Sequence, residues 1–183
     1  MCCNHETVAA EMARLAAGED AHARLISLLL PPSGGSAPAP SDLLVAATAM
    51  IAALSAGSTK AKQPLLAHMK PLCASLSAHL EYSAASVAVT EQAATALGNL
   101  SAQPQFRKEI VSGGALNALL RLVSQVPQGE GEVVLLPNAI AALHNCSLHP
   151  DGVGIIATEE TAAALMPHLE GSRLEAGGSI VLA

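Results

Sequence analysis

Laid against itself with a shift of 46 residues, the sequence pairs like with like through three copies. Ile51, Leu97 and Leu143 share one column, Leu54, Leu100 and Cys146 a second, and Ser55, Ser101 and Ser147 a third. Ala53, Asn99 and Asn145 fall together, and three residues past the aligned serines stand Ser58, Pro104 and Pro150. Ile110 pairs with Ile156 where Pro64 breaks the column, and Cys73 pairs with Leu119 and Leu165. A period of this length constrains the fold more than any other feature. Each copy is one small module that cannot bury its apolar face alone, so successive copies must stack into a continuous core.

Within each copy the signals are helical. A short first helix is expected over residues 6–17, 58–67, 104–112 and 150–158. A second is expected over 20–30, 69–80, 114–125 and 160–169, and a third over 42–55, 84–101 and 135–148. Proline at a first helical position wastes no donor and brings a preset φ, and serine is a good N-cap, so the Ser58/Pro104/Pro150 column starts a helix in each copy. Ser112-Gly113-Gly114 is a natural stop, because glycine tolerates the positive φ that ends helices. The third helices are apolar on more than one face, as befits helices held between two neighbours. Residues 31–41 (PPSGGSAPAPS) and 126–132 (VPQGEGE) read as loops.

Composition agrees. Of 183 residues, 51% are apolar, enough for a core, yet the aromatics are Phe106 and Tyr82 alone. A core of Ala, Leu and Val suits closely packed helices and suits strands poorly. Residues 1–183 therefore read as one all-α solenoid, with units at about 6–55, 58–101 and 104–148 and an incomplete one at 150–183. The stretch 174–183 (LEAGGSIVLA) reads as the start of another third helix, so the chain is expected to be a fragment of a longer solenoid.

The formal net charge of -6 offers no basic stripe for phosphates, and no nucleic-acid partner is expected. Cys2, Cys3, Cys73 and Cys146 form no CxxC pair, and no secretory leader is legible, so the chain reads as reduced, intracellular and cytoplasmic, with nuclear or ciliary association as alternatives. The apolar run Leu25 to Leu30 is far too short to enter a bilayer as a span.

From Glu91 to Val123 the sequence is EQAATALGNLSAQPQFRKEIVSGGALNALLRLV. It resembles the armadillo-repeat family, whose units run A-x-A-L-x-N-L-S, a polar link, then I-x-x-x-G-A-I-P-x-L-V. Ala94, Ala96, Leu97, Asn99, Leu100, Ser101, Ile110, Gly114, Ala115, Leu116, Leu119 and Val123 carry the match. The likeness weakens from Pro137 to Leu169 and degenerates before Ser83, although Pro71 keeps the family's proline and Ala53 replaces its asparagine. The resemblance implies a right-handed superhelix of three-helix units whose third helices line a concave groove. In that family, asparagines of this column clamp the backbone of an extended peptide.

On that reading Asn99 and Asn145 are the first candidates for partner binding. A carboxamide pairs with a peptide N–H and C=O together. Two helical turns earlier stand Gln92 and Asn138, themselves 46 apart, giving a two-by-two set of amides. Thr95, Ala141 and His144 adjoin them. The competing role is structural, since an asparagine near a helix end satisfies orphan carbonyls or the next turn. Thr95 and Ala141 stand where import-receptor armadillo proteins carry tryptophan, so a nuclear-localisation-signal receptor is not expected.

Other constellations point to structure. Cys146 shares a column with Leu54 and Leu100 and reads as a core residue rather than half of a zinc or Cys–His site with His144 and His149. Gly57-Ser58-Thr59-Lys60 has phosphate-loop residues in the wrong order and reads as a helix start. Met1-Cys2-Cys3-Asn4-His5 reads as a terminus, Gly177-Gly178 as a helix approach, and Glu159-Glu160 as a helix N-terminus. His68 and His79 read as rim residues. Arg107, Lys108 and Glu109 read as a solvated face, with the basic pair beside Phe106 open to an acidic partner. No catalytic, metal or cofactor motif is legible. The expected function is a non-catalytic scaffold or adaptor that holds an extended or helical segment of a protein partner on the concave face. The alternatives are a structural subunit fixed in an axonemal or other cytoskeletal assembly, and a small-GTPase regulator.

Overall fold

The structure is a computed structural model that describes residues 21–30, 41–81, 87–126 and 132–176. The expected helix over 6–17, the Met1-to-His5 cluster, Gly177-Gly178 and most of both loops lie outside the described residues. Among the described residues the protein is all-α: α1 Ala21–Leu29, α2 Ser41–Ala56, α3 Thr59–Leu66, α4 Met69–Ala78, α5 Val87–Ser101, α6 Pro104–Ser112, α7 Ala115–Gln125, α8 Glu132–Ser147, α9 Pro150–Ile156 and α10 Glu159–Ala176.

The starts follow the sequence. Pro104 and Pro150 open α6 and α9, Ser58 precedes α3, and the His149 side chain accepts from the Asp151 backbone N–H at 3.3 Å. Gly114 sits at φ 78 between α6 and α7, the left-handed conformation that a Cβ disfavours. Two expectations need correction. Glu132 belongs to α8, which begins ahead of the expected Leu135 and takes Pro137 into its interior, giving up the bond that its nitrogen would have made to the Val133 carbonyl. Leu174 to Ala176, read as the start of a new third helix, continue α10 instead. No Gly or Pro stands between Ser172 and Ala176 to stop a helix that already accommodates Pro167.

The helices form two rows. The third helices α2, α5 and α8 pack side by side, α2 on α5 and α5 on α8, and these are the most extensive helix contacts of the molecule. The second helices make the other row, α1 on α4, α4 on α7 and α7 on α10, while short α3, α6 and α9 link the rows. Contacts that recur one unit later are the packing of a helical repeat. The core lies between the rows. Ile51, Leu97 and Leu143 are buried from one column, Leu100 and Cys146 from the next, and Cys73 and Leu119 from a third. Phe106 is fully buried where α6 meets this core.

Candidate functional site

The third-helix row places the seven candidate residues. Their local helices are built from alanine and leucine, which favours close axial approach. A Cβ at Gly98 would lie 3.1 Å from the Asn138 carbonyl oxygen, so α5 and α8 come nearly backbone to backbone at that point.

The asparagines bridge successive units. Asn99 Nδ2 donates to Ser55 Oγ at 3.2 Å, and Asn145 Nδ2 donates to Ser101 Oγ at 3.1 Å. Both pairs are 44 positions apart in the chain. Asn138 Nδ2 reaches Thr95 Oγ1 at 2.8 Å. Each hydroxyl then donates within its own helix: Ser55 to the Ala52 carbonyl at 2.6 Å, Ser101 to Gly98 at 2.8 Å and Thr95 to Glu91 at 2.8 Å. Ser55 and Ser101 are fully buried. The result is a relay from amide to hydroxyl to carbonyl that ties α8 to α5 and α5 to α2. Buried hydroxyls demand such partners.

Basic side chains finish the helix ends. Arg107 Nε donates to the Ser101 carbonyl at 2.7 Å and its Nη2 to Ala102 at 3.0 Å, and Lys62 Nζ reaches the Asn99 carbonyl at 3.4 Å. Arg107 was expected on a solvated face. It is instead half-buried over the last turn of α5, where a cation matches the negative end of the helix dipole. In the other row the His79 ring meets the Leu29 carbonyl at 2.7 Å and the His168 ring meets Val123 at 3.1 Å. These too join neighbouring units. The sequence could have disclosed them only by pairing each histidine with a helix end about one period upstream.

What stays open is narrower than the residue set suggests. Among the described residues, the Oδ1 atoms of Asn99 and Asn145 and the whole amide of half-buried Gln92 make no hydrogen bond. Ala141 and His144 are exposed on α8, and Thr95 is half-buried on α5. The Thr95 hydroxyl is engaged by Asn138. The outward side of the row is continued by Ala49 and Ala56 on α2, Glu91 on α5 with Ala102 just past its end, and Pro137 on α8 with Leu148 just past its end. This is a surface of small and neutral groups, with Glu91 its carboxylate.

Cys73 and Cys146 are free and buried. Burial, then Glu109 and then Cys146, pushes the Cys73 thiol up to about 12; burial pushes Cys146 up to about 11 against the pull of Arg107. Cys146 and exposed His144 therefore point into different surroundings. A cleft of about 260 Å³ sits on the opposite row between α4 and α7, lined by Ser77, Leu80, Glu81, Ala118, Arg121 and Gln125. None of the candidate residues lines it. No described helix is long and apolar enough to cross a membrane.

No family model matches the chain, and no curated protein matches it. Among solved structures it is similar to the crystal structure of an engineered protein, a Northeast Structural Genomics Consortium target, with a TM-score of 0.60 and 18% identity. The alignment covers 90% of this chain and 65% of that one, so the chain spans about two thirds of the engineered protein it resembles. At this identity the likeness speaks to the helical fold alone.

Proposed function

We propose that the chain is an armadillo-type solenoid and serves as a non-catalytic scaffold, holding an extended or helical protein segment along the outward side of α2, α5 and α8. One observation carries this reading. The Asn99 and Asn145 carboxamides are held through Nδ2, while each Oδ1 makes no bond among the described residues. An acceptor already fixed in place binds a backbone N–H without the entropy cost of ordering it first. The Gln92 amide supplies donor and acceptor beside them. The neutral, small-residue surface admits a backbone closely and imposes little charge selection. On this reading the protein acts within the cell, and its partner is a protein.

Gln92→Ala is the discriminating variant, because it removes an open amide and leaves every inter-unit bond intact. Panning a phage-displayed random peptide library against the chain should enrich peptides whose binding weakens about fivefold in Gln92→Ala, the value of one hydrogen bond. It should be blocked by Ala102→Glu. Enriched peptides indifferent to both changes would place any binding surface elsewhere.

A further inference from the structure

Lys62 is 7% exposed, and a lysine is almost never buried that far unless its charge is paired. Its column does not demand burial: Lys108 and Gly154, one and two periods on, are exposed. The Lys62 side chain instead leaves α3 for the last turn of α5, where Nζ donates to the Asn99 carbonyl at 3.4 Å. An ammonium has three donors. That single long bond to a neutral carbonyl is all its side chain makes among the described residues, and no described carboxylate reaches it. Helix capping does not account for the charge, because Arg107 already covers the same helix end with bonds of 2.7 and 3.0 Å to the Ser101 and Ala102 carbonyls. Two cations therefore stand on one helix end with no carboxylate bonded to either among the described residues, in a chain whose acidic residues outnumber its basic ones 15 to 9. The acids lie at the other end of these helices: Glu91 is about 12 Å before Asn99 along the α5 axis, and Asp42 is in the first turn of α2.

We propose that Lys62 receives an acidic side chain, Asp or Glu, carried by the protein segment held on the outward side of the row. This rests on the binding reading above and adds what the segment must carry and where. Lys62 bonds the carbonyl of the same residue whose carboxamide Oδ1 stands open. A segment that donates a backbone N–H to Asn99 Oδ1 thus brings its neighbouring side chains to the Lys62 ammonium. A carboxylate there matches the buried charge and takes up its remaining donors in a charge-assisted bond. The locus is interior to the row, since α5 is flanked by α2 on one side and α8 on the other. The middle of the face selects little by charge, whereas its edge does. An acidic group is drawn to Lys62 and Arg107 and repelled by Glu91, which also sets the direction in which the segment lies. A basic group at the Lys62 end is disfavoured.

The probes are fluorescent synthetic copies of peptides that a phage-displayed random library yields against the full chain, titrated by anisotropy. Peptides whose binding depends on Gln92 should share an Asp or Glu at one fixed position. Changing that residue to its amide should weaken binding to the unaltered chain about tenfold and remove most of the sensitivity to ionic strength. Lys62→Met in the chain should weaken the parent peptide by the same factor, and the amide peptide on Lys62→Met should bind no worse than either change alone allows. The peptide change needs no protein variant, so the test stands even if Lys62→Met fails to fold. Gln92-dependent peptides with no common acidic position would overturn the assignment and leave the binding face standing. So would an acidic residue whose loss leaves affinity unchanged, the result expected if a carboxylate of this chain or of a second copy already sits on Lys62. A library that yields no Gln92-dependent peptide would overturn both.

Discussion

At the scale of the residue, one side chain performs two tasks. Asn99 and Asn145 spend a donor on the preceding unit and keep an acceptor open. The asparagine column was legible in the sequence as 46-residue spacing, but its bonding was not. The acceptor serine lies 44 positions upstream, in a different column, and only the stagger of adjacent helices brings the two together. The choice between a structural and a binding role therefore had no sequence answer. Cysteine was more transparent, because Cys146 shares its column with leucines. Its thiol and that of Cys73 should resist alkylation in the native protein at pH 8 and label once it is unfolded in urea, as read by peptide mass mapping. The pH dependence follows. Folding holds these protons to about 11 and 12, while an ordinary cysteine thiol releases its proton near 9.0. The thiols thus favour the native state fully below about pH 9, and that contribution declines as pH rises from 9 towards 12, because the unfolded chain releases protons first.

At the scale of the element, boundaries follow capping chemistry wherever the sequence states it plainly. Pro104, Pro150 and Gly114 fall where they should, and Glu159 and Glu160 open α10. The Glu160 carboxyl is held below its ordinary value, first by its own backbone N–H and then by the Thr158 hydroxyl. The end of α10 was misread because apolar spacing resumes near Leu174 without a break in helix-forming residues. Arg107 was misread because charge pattern alone places it in solvent, while its partners are carbonyls of another helix. Arg107→Ala should cost about 1 kcal/mol in urea unfolding by releasing the Ser101 and Ala102 carbonyls, whereas Lys108→Ala, at an exposed position, should stay within about 0.5 kcal/mol. Equal effects of the two would remove the capping role.

At the scale of the whole molecule, stacking is what the repeat demanded and what the helix rows deliver. The core columns were readable because burial selects apolar side chains at fixed spacing. The outward surface was not, since alanine and threonine there look no different from alanine and threonine inside. The central claim is that amide-to-hydroxyl bonds couple one unit to the next. It is tested most directly by a double-mutant cycle across Asn145 and Ser101, each changed to alanine alone and together, with unfolding free energies from urea titration. We predict a coupling of about 1 kcal/mol between the two sites, the double variant being no less stable than Asn145→Ala by more than a few tenths. Additive losses, with coupling below about 0.3 kcal/mol, would contradict the ladder and leave the asparagine column without a part in joining the units.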